Sequence, residues 1–148
     1  MKYASLTALA FVAVLAACAK SGGGNAASSA APAASAAVTA AAVNPGQSVY
    51  QANCSTCHQT NGGGVRGAFP PLAQNPTVIG DPIAVIHDVK FGLSGEIHVN
   101  GNGYNGMMPA WGQQLSDSDI AAVITYVRSA WGNKASAVTS AQVAAVSQ

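Results

Sequence analysis

The sequence predicts one small all-α domain between residues 44 and 133, with a short β-hairpin among its helices. Three observations support this fold class. Two segments begin with a capping residue followed directly by proline, the usual start of a helix, and a third repeats apolar residues at helical spacing. On both sides of this region alanine and serine dominate the sequence, and such segments bury too little apolar surface to form a core.

The first helix is predicted to begin at Asn44-Pro45, where asparagine can cap the helix and proline occupies its first position. Val49 and Tyr50 follow on the helix, which leads into a cysteine-containing sequence that starts at residue 54. After that sequence, a run of glycines and the pair Pro70-Pro71 indicate a loop.

The second helix is predicted to begin at Asp81-Pro82, which repeats the cap-and-proline start, and to end at Gly92. Beyond it, Ile97, Val99 and Tyr104 alternate around an Asn-Gly-Asn-Gly sequence at residues 100–103. Alternating apolar residues around Asn-Gly predict a small β-hairpin.

The last helix is the most regular segment of the sequence. Ser116 can cap it, and two aspartates in its first turn face the positive end of the helix dipole. Its apolar face is formed by residues spaced three and four apart: Ile120, Val123, Ile124 and Val127. We expect the helix to end near Trp131-Gly132.

Residues 54 to 58 read Cys-Ser-Thr-Cys-His, a spacing that predicts covalent attachment of haem. Cys54 and Cys57 lie close to one helical turn apart, so both thiols can reach the same edge of a porphyrin and form thioethers with its vinyl groups. His58 projects from the same face as Cys54. Its imidazole can therefore bind the iron as the proximal ligand. We expect one haem c per chain.

Two other uses of this sequence have less support. A structural zinc site needs four ligands, normally with a second pair of Cys or His at short spacing, and the chain has no such pair. A thioredoxin-like dithiol belongs at the start of a helix in a βαβ unit, whereas a glycine run follows here.

Residues 1–17 combine a basic start with an apolar run that is too short to span a bilayer, which predicts a secretory signal. The run ends Leu-Ala-Ala-Cys, similar to a bacterial lipoprotein processing site, so we expect Cys18 to become a lipid-modified amino terminus. The alternative is ordinary cleavage that leaves a free thiol. Lipidation would account for the third of the three cysteines, so that no disulfide is expected.

Residues 18–43 are predicted to form the lipidated amino terminus and an Ala/Ser/Gly-rich linker, and residues 134–148 a flexible tail in which Gln142 to Val146 could form a helical turn. A domain spanning residues 44–133 is small for a core of its own, and a buried haem would supply the missing apolar centre. Without Lys2 the chain carries five basic and five acidic side chains. The absence of a basic patch argues against nucleic acid as a partner.

The order of these features resembles a class I c-type cytochrome, and the resemblance covers residues 44–133. It is carried by the helix before Cys-Ser-Thr-Cys-His and by three further sequences: Phe69-Pro70-Pro71-Leu72, Gly106-Met107-Met108-Pro109-Ala110-Trp111-Gly112 and Leu115-Ser116-Asp117. The resemblance implies a small cytochrome c fold of about three to four helices around one haem, with the hairpin before the loop that holds a methionine ligand.

The resemblance also implies roles for individual residues. Met108, which is followed by proline as in that family, would be the sixth iron ligand, with Met107 as the alternative if the loop is offset by one residue. The carbonyl of Pro70, or alternatively of Pro71, would accept a hydrogen bond from the proximal histidine.

Leu72 and Trp111 would pack against the haem, or alternatively serve only in the core. Gly46 and Tyr126 would form the close contact between the first and last helices. His87 and His98 are expected at the surface or in packing; either one replacing methionine would give a bis-histidine haem.

A haem iron with His and Met ligands has no open position for substrate, and methionine ligation raises its reduction potential. We therefore expect an electron-transfer protein rather than an enzyme: a single-electron carrier, exported and lipid-anchored on the periplasmic side of a bacterial membrane. Its partners would be redox proteins such as a quinoprotein dehydrogenase or a terminal oxidase. One alternative is a haem-containing subunit of such a complex. Another is a five-coordinate peroxidase or gas-binding protein, with Arg66 and His98 as its distal pair.

Overall fold

A computed structural model of the chain describes residues 44–148. The predicted signal, Cys18 and the linker lie outside the described residues. The described part contains six helical segments and one two-stranded sheet: α1 (Pro45–Asn53), α2 (Ser55–His58), α3 (Pro76–Ile79), α4 (Pro82–Phe91), β1 (Ile97–Val99), β2 (Asn102–Tyr104), α5 (Asp117–Ser129) and α6 (Ser140–Ala145). The mostly helical fold with one hairpin is confirmed, but the count of three to four helices is not.

The three predicted helices, α1, α4 and α5, begin where their capping residues indicate. Asn44, Asp81 and Ser116 each accept a hydrogen bond from a backbone N–H in the first turn of their helix. The single-turn helix α3 begins in the same way at Asn75, which is followed by proline. That start was not predicted, although it has the same cap-and-proline sequence as α1 and α4.

Helix α1 crosses α5 with very close backbone approach. A Cβ atom added to Gly46 would lie 2.1 Å from the carbonyl oxygen of Ala122 and 2.8 Å from the Cβ of Tyr126. Only glycine leaves room for this crossing, so the predicted contact of Gly46 with Tyr126 is confirmed. The rings of Tyr50, Tyr126 and Trp131 pack beside it, with centroids 5.0 to 5.6 Å apart.

The hairpin has the predicted pairing, with Ile97 opposite Tyr104 and Val99 opposite Asn102. Its two turn residues, Asn100 and Gly101, have φ angles of 51° and 77°. Positive φ at both central positions is what a two-residue type I′ turn requires. Within residues 44–148, no helix has the length and apolar character needed to cross a membrane.

Residues 134–148 form a packed segment, not the flexible tail that composition predicts. Val143 in α6 is completely buried and Val138 is 6% exposed. The backbone N–H and carbonyl of Val138 both bond to the Thr125 hydroxyl on α5, at 2.9 and 3.2 Å. The burial of Val138 and Val143 and the hydrogen bonds to the Thr125 side chain therefore hold residues 134–148 in place, although their composition does not predict that they pack into a core.

Candidate haem site

The Cys-Ser-Thr-Cys-His sequence lies where α1 ends and α2 begins. The carbonyl of Cys54 accepts hydrogen bonds from the backbone N–H groups of Cys57 and His58, at 3.2 and 3.0 Å. Both thiols are free and half-buried. This tight turn brings the two cysteines and the histidine to the wall of one cavity.

The environment of the Cys54 thiol does not favour a redox dithiol. Burial raises the pKa of the Cys54 thiol to about 11, and the neighbouring Cys57 adds to the effect. Thioredoxin-like cysteines need the opposite, a pKa lowered by positive charge or a helix N-terminus.

His58 is held by a single well-defined hydrogen bond. The residue is 8% exposed, and its Nδ1 lies 3.0 Å from the carbonyl oxygen of Pro70. The sequence left Pro70 and Pro71 as alternatives; the carbonyl of Pro71 instead accepts a bond from the Asn75 amide at 2.8 Å. Burial lowers the pKa of His58, and the Pro70 carbonyl partly opposes that shift. The result is a neutral ring that donates from Nδ1 and keeps the Nε2 lone pair for a metal.

The loop that contains Met108 is hydrogen-bonded to the chain at the end of α4. The backbones of Met108 and Leu93 exchange two hydrogen bonds, at 2.8 and 3.0 Å, which form an isolated antiparallel bridge. Gly92 makes this approach possible, because a Cβ there would lie 2.7 Å from the carbonyl oxygen of Met108, and its φ is +78°. The sequence indicated Gly92 only as a helix end.

The two methionines differ in burial. Met107 is 75% exposed, whereas Met108 is half-buried.

Two adjoining apolar cavities lie between His58 and the Met108 loop, with about 810 and 740 Å³ of space that is partly open to solvent. Seven residues line both cavities: Cys54, His58, Pro70, Leu93, Ile97, Met108 and Trp111. An apolar cleft with a free imidazole nitrogen, a thioether and two thiols along its walls fits a large flat apolar group bound through sulfur and iron.

The remaining predicted contact residues also line this space. Trp111 lines both cavities and Leu72 lines the larger one. The larger cavity has three polar lining residues that sequence reasoning missed: Asn75, Thr77 and Asp88. Burial raises the pKa of Asp88, and His87 opposes the rise. The cap-and-proline sequence at residue 75 was the one available signal for the first of them.

The side chains nominated for a ligand or distal role lie elsewhere. The side chain of His87 is 48% exposed and packs on Phe91, and that of His98 is 67% exposed beside Glu96. Arg66 is also exposed. Within residues 44–148, neither cavity is lined by any of these three nominated residues. The geometry therefore supplies no distal acid and base pair from Arg66 and His98 for peroxidase chemistry.

Comparison with known proteins gives one family match. The family model described as cytochrome c matches residues 43–131. The chain is 43% identical over 98 residues to cytochrome c-552 of Thermus thermophilus, covering 64% of this chain and 65% of that protein.

Further relatives are parts of larger assemblies by their names. The chain is 40% identical over 100 residues to the cytochrome c subunit of a quinone alcohol dehydrogenase from Gluconobacter oxydans, covering 66% of this chain and 20% of that subunit. It is 32% identical over 101 residues to the CcoP subunit of a cbb3-type cytochrome c oxidase from Azospirillum brasilense, covering 64% of this chain and 30% of that subunit. The chain thus spans about two thirds of the first relative's length and less than a third of these two.

Proposed function

The chain belongs to the cytochrome c family of haem c electron carriers, and we propose that it transfers single electrons through one six-coordinate haem. In this proposal Cys54 and Cys57 would form the thioethers, and His58 and Met108 would hold the iron. The observation that carries it is that His58 and Met108 line the same two apolar cavities.

The bound haem supplies a reversible ferric and ferrous couple. The chain's residues supply geometry and exclusion of water. The bond from His58 to the Pro70 carbonyl orients the imidazole and increases its basicity. The bridge between Met108 and Leu93 fixes the opposite side. With His58 and Met108 both holding the haem, the chain would leave no position for a substrate, and we propose electron transfer rather than catalysis as the activity.

Met108 is favoured over Met107 as the sixth ligand by its burial and by the cavities that it lines. Met108 lines both cavities, whereas Met107 lines one and leaves three quarters of its surface exposed. Met107 instead belongs to the rim of the smaller cavity, together with Phe69 and Pro109.

Electrons would enter and leave at this rim, near Cys57. Among the described residues that line the smaller cavity, none is Lys, Arg, Asp or Glu. An uncharged rim gives a partner apolar contact and little electrostatic steering. We infer a redox protein with a similarly uncharged surface as the partner.

A redox titration followed by absorbance tests the proposed function. We expect one reversible transition that fits the transfer of one electron, in a protein that stains for haem on a denaturing gel. A wild-type band that carries no haem stain would contradict the attachment, and an irreversible or multi-electron transition would contradict the carrier role.

We further propose that the carrier is exported and anchored by lipid on Cys18 to the periplasmic side of a bacterial membrane. The sequence at the processing site supports this, and a tether would raise the local concentration of the carrier near membrane-bound partners. Cys18→Ala should release a soluble protein that is still red. If the variant stays in the membrane fraction after salt washing, another contact holds it there.

A second candidate is an electron-transfer subunit of a dehydrogenase or terminal oxidase complex. The likeness to the Gluconobacter oxydans and Azospirillum brasilense subunits favours it. Purification under mild conditions separates the two proposals: a large catalytic chain that co-purifies in fixed proportion supports the subunit, and a haem protein recovered alone supports the free carrier.

A further inference from the structure

Residues 134–148 lie beyond the family match, which ends at residue 131, yet they are attached to the helix that carries the methionine loop. The attachment is Lys90 in the last turn of α4. Its Nζ donates to the carbonyl oxygens of Val143 and Val146 at the end of α6, at 2.8 and 2.7 Å. The Val143 carbonyl also accepts a hydrogen bond from the N–H of Val146 at 3.2 Å, and the lysine ammonium adds a charged donor to these last carbonyls of the helix.

The same turn of α4 holds the loop that follows Met108. The carbonyl of Lys90 accepts a hydrogen bond from the N–H of Gly112, and the carbonyl of Val89 accepts one from Trp111, both at 3.0 Å. With the two bonds of the bridge to Leu93, four backbone hydrogen bonds join residues 89–93 to residues 108–112. Lys90 therefore links the two segments. Its side chain binds the carboxyl-terminal segment, and its backbone carbonyl binds the loop that follows Met108.

We propose that residues 134–148 act as a strap that positions the sixth ligand, and that Lys90 is the positioning residue through which they act. The Met108 loop is hydrogen-bonded to the last turn of α4. Holding this turn in place would therefore hold the Met108 thioether where it can bind the iron. This inference rests on the proposed ligation by Met108. It gives a function to a segment that the family match leaves out.

The test is the rate at which carbon monoxide binds the ferrous haem protein, because carbon monoxide needs the position that methionine occupies. Lys90→Met keeps most of the apolar stem and removes the ammonium. We expect it to bind carbon monoxide on the order of ten times faster than wild type, as expected when hydrogen bonds from a charged group are lost. Faster amide exchange at Met108 and Trp111 should accompany the change. Lys90→Arg, which keeps a cationic donor, should stay closer to wild type.

Thr125→Val is the matched control. It removes the bonds that hold Val138 to α5 and leaves those of Lys90 in place. A merely structural strap would make the two variants alike, so equal acceleration in Thr125→Val and Lys90→Met overturns the proposal. An unchanged rate and unchanged amide exchange in Lys90→Met overturn it as well. If Lys90→Met does not fold, removal of residues 140–148 replaces it and must give the same acceleration.

The proposed function fails separately. A wild-type protein that already binds carbon monoxide rapidly has no sixth ligand to be positioned, and that result overturns both proposals. A wild-type protein that binds carbon monoxide slowly, with a Lys90→Met variant of unchanged rate and unchanged amide exchange, overturns the strap alone.

Discussion

The two sides of the cavity are built in different ways. On the histidine side, His58 follows Cys57 directly in sequence, and its ring bonds to Pro70 twelve residues away. On the methionine side, Met108 lies on a loop that hangs from the end of α4, which in turn binds residues more than 50 positions further on. On the first side the ligand and its hydrogen-bond partner are close in sequence, whereas contacts distant in sequence support the second. Motif spacing therefore predicts His58 directly and leaves Met107 and Met108 as alternatives.

The largest expected effect comes from breaking the locally encoded side. Cys54→Ala combined with Cys57→Ala should abolish covalent haem and leave a poorly folded chain, because the haem supplies much of the apolar core of so small a domain. Haem staining on a denaturing gel and circular dichroism measure the two effects. Retained covalent haem would show that attachment lies elsewhere.

The next effect separates the two methionines. A thioether bound to ferric haem gives a weak absorption band near the red end of the visible spectrum. Met108→Ala should remove this band and lower the reduction potential by on the order of 100 mV, part of the wide range that axial ligands command. Met107→Ala, the adjacent control, should do neither. If Met107→Ala removes the band and Met108→Ala keeps it, Met107 is the ligand and the loop is offset by one residue. If both variants keep the band, methionine is not a ligand.

A third change tests how far the histidine side depends on contacts that are distant in sequence. Asn133 is buried, donates to the carbonyls of Leu72 and Val127 and accepts a bond from the N–H of Gln74. Asn133→Ala leaves these groups without partners and should lower the free energy of unfolding by about 3 kcal/mol. The exposed Asn105→Ala is the control. Chemical denaturation measures the loss, and the red absorption band should remain, since Asn133 bonds to the histidine-side loop and not to Met108.

The smallest effect concerns the uncharged rim. Electron exchange with a charged partner should depend little on salt in the wild type. Met107→Lys adds a charge at the rim and should introduce a salt dependence without moving the potential, whereas Ile83→Lys on α4, where the side chain is also exposed, should not. Stopped-flow rates at several ionic strengths check this, and a steep salt dependence of the wild type would contradict an uncharged docking surface.

The fold could be predicted where signals are local. Caps, prolines and helical spacing located α1, α4 and α5, and Asn-Gly located the hairpin. For the carboxyl-terminal segment the sequence indicated only a helical turn from Gln142 to Val146, whereas α6 covers Ser140–Ala145 and begins with a capping box of Thr139 and Gln142. The packing of this segment could not be predicted in the same way. Alanine, serine and valine do not reveal that Val143 fills a space in the core or that Lys90 reaches across from α4.

Only part of the candidate haem site could be predicted from the sequence. The placement of Cys54, Cys57 and His58 on one wall follows from their spacing in a helical turn. The sequence could not distinguish Pro70 from Pro71 as the partner of His58, because the two adjacent carbonyls differ only in the direction in which they point. The sequence could not show that Met108 forms an isolated bridge with Leu93 and is half-buried, while its neighbour Met107 is exposed.

The most direct test of the central proposal is the binding of carbon monoxide to the ferrous wild-type protein. With His58 and Met108 both on the iron, we expect no rapid binding at neutral pH, because the gas must wait for a ligand to leave. Rapid binding in the wild type would mean that one axial position is open. It would contradict the six-coordinate single-electron carrier and favour a gas-binding or peroxidase-like haem.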